Sequence, residues 1–530
     1  MQQAQRPAQP SLRLGELIAA LSLAFDLGNN APFEKALRNA LLAVGIGREL
    51  GLEGQTLSDV YYVAQLRYLG CTAFSYELAG FLGVDELQAR GAYSPVLTGS
   101  RAMAVRITLT QLGRDAPLPS RFWAMAKMAL GANQTIQRLW RADCEAATRL
   151  ASQLGMSEGV CLALDDVASA WNGAGLAKTE TAGEAIPLSA RIAFLAHQVE
   201  THHRHSGRAA AIRVVRTRAG RDFDPAVAGA FLARAADLFE SIEPESVWDA
   251  ALEAEPEPWP WIPSGRLDAV AQAFGNFVDL KSPYTLGHSA GVAALAAAAG
   301  QAVGLKDDEV IVLRRAGWVH DLGRVSVPNT IWDKPGPLTV SEWERVRLHP
   351  YHSERILSRA EVLRPLALIG GMHHERLNGA GYHRGTTGLS ISSLARLLAA
   401  ADAYQAMTEP RPHRPALTPT IAGRELAAEV EKGRLDREAV RAVLDVTGQA
   451  QAGRRLAWPA NLSEREVQVL RLAARGRPNR EIAELLYISE NTVHHHVKRI
   501  YDKIGVATRA GAALFAMEHG LLPAESQETT

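Results

Sequence analysis

The 530-residue sequence has few cysteines, few aromatic residues and no excess of charge of either sign. Its three cysteines, Cys71, Cys144 and Cys161, are too few for a disulfide framework and lack the C-x-x-C spacing of a zinc site, which favours a reducing compartment. Because 57 basic residues balance 57 acidic ones, a protein that is basic throughout is excluded, although one basic module can be hidden in the average. No run of about twenty apolar residues is present. We therefore expect a cytoplasmic protein without a membrane span.

Hydrophobic residues make up 47% of the chain, and most of them recur at spacings of three and four positions. This spacing is typical of amphipathic helices, and strand-like alternation is rare, so we predict an all-α fold. Two breaks divide the chain, a proline-rich run over 253–263 and a polar, glycine-containing run over 449–459. The predicted domains are 12–251, 265–448 and 460–523.

The first two predicted domains have sequence features in common, in the same order, which indicates an internal duplication. The segment 171–175 (WNGAG) recurs as 377–381 (LNGAG), and an Ala-Arg pair follows each of them, at 190–191 and at 395–396.

The second domain contains histidines and aspartates in apolar surroundings. The pair His320 and Asp321 follows an apolar helical stretch, His373 and His374 are adjacent, and Asp402 lies within a run of leucines and alanines. Because a charged group on a buried helix is costly unless a partner compensates it, these residues predict a bound metal or ion. Imidazole and carboxylate suit Mn, Fe or Zn, and the absence of cysteine disfavours a closed structural zinc site.

These residues belong to a longer series of short motifs. The series is SPYTLGHS (282–289), HDLG (320–323), DKPGPLT (333–339), HP (349–350), HHE (373–375), NGAGY (378–382), AR (395–396), AD (401–402) and RPHRP (411–415). It resembles, in order, the HD-GYP family of the HD phosphohydrolase superfamily. The resemblance implies a helical phosphodiesterase that cleaves cyclic di-GMP to pGpG or GMP with two divalent ions, for which Mn or Fe is expected.

The resemblance also implies a role for individual residues. The ligands of one ion would be His288, His320, Asp321 and Asp402, and Asp321 would bridge to a second ion held by His349, His373 and His374. Such paired ions lower the pKa of a bridging water and clamp the attacking and leaving oxygens of the phosphodiester. The predicted catalytic residues are Asp321 and Arg324, and the predicted substrate-binding residues are Gly381, Tyr382, Arg411 and Arg414.

Three positions depart from the family pattern. Arg324 stands where a lysine is usual, which keeps the charge but changes the hydrogen-bonding geometry. The Gly-Tyr-Pro signature ends in His383, which frees a backbone N–H and is expected to loosen the loop. Tyr284 stands where members with a third metal have a glutamate, so we expect two ions. Two alternatives to cyclic di-GMP hydrolysis stay open: a nucleotide sensor without turnover, and a phosphohydrolase for another nucleotide.

The first domain is predicted to be a degenerate HD-GYP-like copy that binds no metal. The positions that correspond to the metal ligands are Lys35, Arg67, Tyr68, Val167, Ala168 and His197. Packing against the second domain, binding of a regulatory nucleotide and binding of a partner are its possible roles. The histidines at 202, 203 and 205 are interpreted as part of a solvated loop.

The C-terminal residues form a locally basic module, with eleven Lys or Arg and six Asp or Glu between 454 and 509. Ser463 and Glu466 have the spacing of a helix capping box, and two short helices are predicted on either side of 487–490. The module resembles a LuxR-type helix-turn-helix domain, which implies a DNA partner and a homodimer on two half-sites. The predicted DNA-binding residues are Asn491, Thr492, His494, His495, Lys498 and Arg499. We therefore expect a transcription regulator whose phosphodiesterase core is coupled to DNA binding.

Overall fold

A computed structural model describes residues 12–95, 101–114, 116–174, 181–449 and 458–522. These residues form twenty-seven α-helices and one two-stranded sheet, which confirms the predicted all-α class. The chain divides into a first unit and a second unit between Ala269 and Val270. Gly175 of the predicted repeat and Pro523 at the end of the predicted DNA module lie outside the described residues.

The first unit consists of helices and one short antiparallel strand pair, β1 (Leu12–Arg13) with β2 (Trp261–Ile262). Helices α2, α3 and α9 pack against one another, and α1 is buried along nearly its whole length. The helices are α1 (Leu14–Gly28), α2 (Lys35–Glu49), α3 (Gly54–Leu66), α4 (Ser75–Leu82), α5 (Glu86–Tyr93), α6 (Arg101–Thr110), α7 (Leu118–Leu154), α8 (Glu158–Asp165), α9 (Leu188–Ser206), α10 (Arg208–Arg218), α11 (Pro225–Ala233), α12 (Ala235–Ser241) and α13 (Val247–Ala254). The 3₁₀ helices are Cys71–Phe74, Gly183–Ala185 and Ser264–Arg266.

The second unit begins within α14 and contains the histidine-rich segment and the C-terminal module. Its helices are α14 (Leu267–Asp279), α15 (His288–Ala302), α16 (Asp307–Val319), α17 (Asn329–Trp332), α18 (Val340–Arg347), α19 (His349–Leu357), α20 (Arg364–Gly370), α21 (Ser393–Met407), α22 (Pro419–Glu431), α23 (Arg437–Gln449), α24 (Glu464–Ala474), α25 (Asn479–Leu486), α26 (Glu490–Ile504) and α27 (Arg509–Glu518). Its 3₁₀ helices are Leu322–Ser326, Glu361–Leu363, Gly388–Ser390 and Pro459–Asn461. In the described parts of both units, every helix is too short or too polar to cross a bilayer.

Small residues bring the central helices of the second unit close together. Helix α15 packs on both α16 and α21, and its alanine-rich sequence leaves room for close approach. A methyl group added at Gly317 of α16 would lie only 2.6 Å from the Cα atom of Ala293 in α15. This packing brings the first residue of α15, the end of α16 and the middle of α21 to one place in the core.

The C-terminal module has the predicted helix-turn-helix order. Helix α24 begins with the predicted capping box, in which Ser463 and Glu466 bind each other's backbone N–H groups. Tyr487 lies between α25 and α26. Its left-handed backbone conformation, with a φ of 54°, ends α25. The two helices begin within two residues of the predicted positions.

The internal duplication stays a prediction. The helix order of the two units is compatible with it, because α2 and α15 each have 15 residues and α3 and α16 each have 13.

The interpretation of the histidines at 202, 203 and 205 as a solvated loop is wrong. All three lie in the last turns of α9, which continues to Ser206, and His202 is buried. His203 Nε2 lies 3.0 Å from a carboxylate oxygen of Glu243, and His205 Nδ1 lies 2.8 Å from the carbonyl oxygen of Thr201. The polar end of a long helix therefore resembled a loop in the sequence.

We predict that Glu466 stabilises the C-terminal module as an anion. Burial raises its pKa, but hydrogen bonds from Lys503 and from the Ser463 backbone outweigh burial and lower the pKa to about 2. A carboxyl group with a lowered pKa stabilises the fold above its unfolded pKa, and that stabilisation is lost as the pH falls toward 2. Glu466→Gln should therefore cost about 1 kcal/mol at neutral pH, with faster hydrogen exchange along α24.

The matched control is Glu464→Gln, which changes an exposed glutamate in the same helical turn. If the backbone amides of α24 exchange hydrogen at the same rate in both variants, Glu466 does not stabilise the module as predicted.

Candidate metal centre and DNA-binding helix

The seven predicted ligand residues lie at helix ends that face the core, with one exception. His288 and His349 are the first residues of α15 and α19, and His320 and Asp321 directly follow α16. His373 and His374 follow α20 by a short turn, and Asp402 is the exception because it lies inside α21.

Asp321 lies between two groups of histidines. Its Oδ1 atom is 3.2 Å from His349 Nε2 and 3.5 Å from His373 Nε2. Its Oδ2 atom is 3.5 Å from His320 Nε2 and 3.7 Å from His288 Nε2. Each carboxylate oxygen therefore faces a different pair of imidazoles.

Asp402 completes the cluster from α21. One of its carboxylate oxygens lies 3.2 Å from His288 Nε2, and the other lies 3.9 Å from His374 Nδ1. His374 is half-buried, whereas the other members of the cluster are buried. The structure thus brings all seven predicted residues together. Six of them form two groups that each have the size of an ion site: His288, His320 and Asp321, and His349, His373 and His374.

Hydrogen bonds fix the orientation of three imidazoles. The Nδ1 atoms of His320, His349 and His373 lie 2.8, 2.6 and 2.5 Å from backbone carbonyl oxygens three residues earlier. Since a carbonyl oxygen only accepts, each Nδ1 must donate, and each Nε2 then carries a lone pair that faces the cluster.

The arrangement of lone pairs fits bound cations. His349 Nε2 and His373 Nε2 lie 3.3 Å apart with no proton left to share between them. His320 Nε2 and Asp321 Oδ1 are buried without a hydrogen-bond partner. Lone pairs that face one another in a buried space repel unless a cation lies between them, and imidazole with carboxylate is a suitable donor set for Mn, Fe or Zn.

The charge states of most of these residues match those of metal ligands. His288 is the exception, since Glu409 and Asp402 outweigh burial and raise its pKa to about 10. Burial lowers the pKa of His320 to about 4 and lowers the pKa of His349. Burial raises the pKa of Asp321, but positive charge beside it, including that of Arg324, outweighs burial and holds the pKa of this carboxyl well below its usual range. Neutral imidazole and ionised carboxylate are the forms that bind metal.

Arg324, the predicted catalytic arginine, lies beside the cluster. Its Nη1 atom donates to Asp321 Oδ2 over 2.8 Å. Its guanidinium lies 4.0 Å from the ring centroid of Trp332, whose indole N–H donates to the Arg324 carbonyl oxygen over 3.2 Å. The Trp332 ring also contacts His349, at 5.5 Å between centroids. Trp332 therefore fixes both the arginine and a histidine, and the sequence analysis missed it.

Glu409 is a second residue that the sequence analysis missed. Its Oε2 atom lies 2.8 Å from His288 Nδ1, and its Oε1 atom accepts a hydrogen bond from Gln405 over 2.8 Å. Because an ionised carboxylate only accepts, His288 donates from Nδ1 and directs Nε2 toward Asp402. The only signal in the sequence was the seven-residue spacing from Asp402 to Glu409, about two helical turns.

The predicted substrate-binding arginines are engaged by the protein itself. Arg411 donates to Glu409 over 3.0 Å and to the Tyr284 carbonyl oxygen over 2.8 Å. Arg414 donates to the carbonyl oxygens of Ala406 and Met407 at the end of α21, and to those of Glu409 and Pro415 in the segment that follows. Both guanidinium groups therefore hold this segment in place, and direct contact with a substrate stays a prediction.

The loop that carries Gly381 and Tyr382 folds against the histidines. A methyl group at Gly381 would lie 2.5 Å from the Glu375 Cα atom, so only glycine fits there. The Tyr382 ring centroid lies 4.4 Å from that of His374. His383 has a φ of 31°, which proline cannot adopt, and this explains the departure from the Gly-Tyr-Pro signature.

The loosening of this loop stays a prediction, and hydrogen bonds after His383 oppose it. The Glu375 carboxylate accepts hydrogen bonds from the backbone N–H groups of Arg384, over 3.2 Å, and Thr386, over 2.8 Å. These contacts restrain the segment after His383. They were not predictable from the sequence, because Glu375 precedes its partners by about ten residues.

The predicted DNA-binding residues share one side of α26. The opposite side packs through Val493, Ile500 and Ile504. Thr492 is half-buried, and its hydroxyl lies 2.7 Å from that of Ser489, the residue that caps the helix. The other five predicted residues are exposed: Asn491, His494, His495, Lys498 and Arg499. The contact of these residues with DNA stays a prediction.

Comparison with known proteins identifies two matching families. The family described as HD domain matches residues 272–439, and the family described as bacterial regulatory proteins, luxR family, matches residues 460–516. The chain is 30% identical over 413 residues to 3'3'-cGAMP-specific phosphodiesterase 3 of Vibrio cholerae, which covers 77% of this chain and 89% of that protein. It is 34% identical over 129 residues to a cyclic di-GMP phosphodiesterase of Thermotoga maritima, which covers 24% of this chain and 35% of that protein.

A solved structure is similar over most of the chain. The crystal structure of cyclic GMP-AMP specific phosphodiesterases in V. cholerae has a TM-score of 0.57 and 26% identity. The match covers 83% of this chain and 98% of that chain.

We predict that Glu409 sets the metal affinity of the cluster through His288. Glu409→Gln removes the charge that fixes the donor nitrogen of His288, so affinity for added Mn or Fe should fall by about 10- to 100-fold. Metal retained by the full chain after dialysis against limiting metal, measured by elemental analysis, tests this effect.

Glu425→Gln, which changes an exposed glutamate of α22, is the matched control and should bind metal like the unaltered chain. Equal metal retention by the Glu409 and Glu425 variants would show that Glu409 has no such role.

Proposed function

Because the chain belongs to the HD-GYP family of HD-domain phosphodiesterases, we propose that its second unit hydrolyses a cyclic dinucleotide and that its C-terminal module binds DNA as a transcription regulator. The proposal combines a metal-dependent core at 265–448 with a DNA reader at 460–523. Two copies on two half-sites would be needed for tight binding, since one such module is small.

The placement of Asp321 carries the proposal. Its two oxygens face separate pairs of imidazoles, so this carboxylate is suited to bridge two ions. One ion would be held by His288, His320, Asp321 and Asp402, and a second by Asp321, His349, His373 and His374.

The chain's own residues would prepare the site for hydrolysis. When bound, two divalent ions supply Lewis acidity toward the phosphodiester and lower the pKa of water. The carbonyl groups at helix ends and Glu409 orient the imidazoles, and Arg324 keeps Asp321 ionised. Positive charge from Arg324 also favours the extra negative charge that develops on phosphoryl oxygens.

The substrate class follows from the relatives. The V. cholerae relative is specific for 3'3'-cGAMP, and the T. maritima relative acts on cyclic di-GMP. We therefore propose a guanine-containing cyclic dinucleotide as substrate. For cyclic di-GMP the product would be pGpG or GMP.

One observation favours the second candidate function, nucleotide sensing without turnover. Arg324 donates to Asp321 Oδ2, the oxygen that faces His288 and His320. A guanidinium at this oxygen competes with a cation for the same lone pairs. A protein of this kind would bind the nucleotide intact and pass the signal to DNA binding.

We propose that the first unit is a degenerate copy that holds no metal. Both groups of metal-type residues found among the described parts of the chain lie in the second unit. At the corresponding positions of the first unit, Lys35 and Arg67 are buried cations, and Lys35 donates to Thr201 over 2.8 Å. The hydroxyl of Tyr68 lies 3.2 Å from His197 Nε2. Two buried cationic side chains at these positions disfavour the binding of a metal cation there.

A contact within the second unit supports coupling between the core and the DNA module. Leu522 follows α27 and lies beside Gly287, since a carbon added at Gly287 would be 3.8 Å from Leu522 Cβ. Gly287 directly precedes His288. A shift of His288 on nucleotide binding would therefore change the packing of Leu522 at the end of the DNA module.

The decisive experiment compares metal content and nucleotide products for the full chain loaded with Mn or Fe. We predict that the unaltered chain releases GMP or a linear dinucleotide, and that Asp321→Ala loses both metal and turnover because the shared ligand is gone. Asp445→Ala, an exposed aspartate of α23, is the matched control. Stoichiometric binding of intact nucleotide would favour the sensor. Unchanged metal content and hydrolysis in Asp321→Ala would refute the site assignment.

DNA binding is tested by Lys498→Ala at several salt concentrations. If Lys498 contacts a phosphate, its removal weakens binding to all sequences and reduces the slope of log affinity against log salt by about 0.9. Fluorescence anisotropy with duplex DNA measures both effects. Lys432→Ala, an exposed lysine of the core, should leave the slope as it is. An unaltered slope in Lys498→Ala would remove this residue from the DNA contacts.

A further inference from the structure

An exposed tryptophan lies close to the metal centre and has no role in the mechanism above. Trp343 belongs to α18, and 42% of its surface is exposed. Its ring centroid lies 6.3 Å from that of Tyr382, with an angle of 74° between the rings. The Tyr382 ring lies 4.4 Å from His374 and 6.2 Å from His349. A continuous series of rings thus leads from two predicted metal ligands to the surface.

The helix that carries Trp343 is held firmly. Val346 on α18 is buried in a small cluster with Val327 and Ile331, close to the segment of Arg324. A capping box between Thr339 and Glu342 begins the helix. Because Val346 lies one helical turn from Trp343 and anchors α18, the fold determines where on the surface the Trp343 side chain emerges.

The exposed face of the Trp343 ring, close to the metal centre, is suited to contact a ligand. A large aromatic side chain gains free energy from burial, and an exposed one beside a polar site is typical of binding surfaces. A nucleotide offers a matching partner, since every base has a flat aromatic face that can stack on an aromatic side chain.

We propose that Trp343 is a stacking platform for one purine base of the cyclic dinucleotide while a phosphodiester group lies at the metal centre. This inference rests on the proposed function and adds a base-recognition site to it. Stacking does not distinguish guanine from adenine by hydrogen bonds. Trp343 would therefore contribute affinity for cyclic dinucleotides as a class, and other contacts would select among them.

The test uses the full, metal-loaded chain with Trp343→Ala and Trp343→Phe. Loss of one stacking contact costs about 1–3 kcal/mol, so KM for the cyclic dinucleotide should rise about 5- to 150-fold in Trp343→Ala, with kcat little changed. Trp343→Phe should restore most of the affinity. Trp123→Ala removes a tryptophan of the first unit that is even more exposed, at 63%, and should behave like the unaltered chain.

Product inhibition separates stacking from a general structural effect. GMP has a base and inorganic phosphate has none, so Trp343→Ala should weaken inhibition by GMP and leave inhibition by phosphate unchanged. Metal content and the melting temperature should also be unchanged.

Three outcomes would overturn the inference. If the unaltered chain cleaves the dinucleotide and Trp343→Ala has the same KM and the same GMP inhibition, the stacking platform is wrong and the proposed function stands. If GMP and phosphate inhibition weaken together with loss of metal, Trp343 acts only on the structure of the centre. If the unaltered chain neither binds nor cleaves cyclic dinucleotides, the inference fails together with the proposed function.

Discussion

The carboxylate of Asp321 is the group on which the second unit depends. It is buried among four imidazoles and one guanidinium, and its two oxygens face different histidine pairs. Removing such a group from water is expensive, and the cost is offset only if positive charge and hydrogen bonds surround it. The neutral imidazoles of His320, His349 and His373, whose lone pairs face the cluster, cannot supply that charge. Bound cations can, and Arg324 supplies part of it.

This requirement explains several features of the helices. Helix ends leave carbonyl groups without partners inside the helix. His320, His349 and His373 each satisfy one of these groups through Nδ1, and the same bond turns Nε2 toward the cluster. The close packing of α15 against α16, through Gly317 and Ala293, then brings His288, at the start of α15, close to His320, at the end of α16. One set of contacts therefore satisfies the backbone and orders the site.

The helical class was predictable from short spacings in the sequence. The seven cluster residues were predictable from the resemblance to the HD-GYP family, which the adjacent pairs His320-Asp321 and His373-His374 support. The sequence did not show Glu409 or Trp332 as parts of the site, since their contacts with His288 and His349 arise only in the tertiary fold. The backbone at His383 was equally hidden, because its positive φ depends on the restraints from Glu375. The polar end of α9 was taken for a loop, although hydrogen bonds to Glu243 and Thr201 stabilise it.

The two-ion arrangement around Asp321 is the central claim, and anomalous X-ray diffraction tests it most directly. Crystals of the full chain grown with Mn or Fe, measured above the absorption edge of that metal, locate every bound ion without reference to activity. The account predicts two peaks, one beside each oxygen of Asp321 and each within bonding distance of the histidines named above. A single peak away from Asp321, or none at full metal loading, would contradict it.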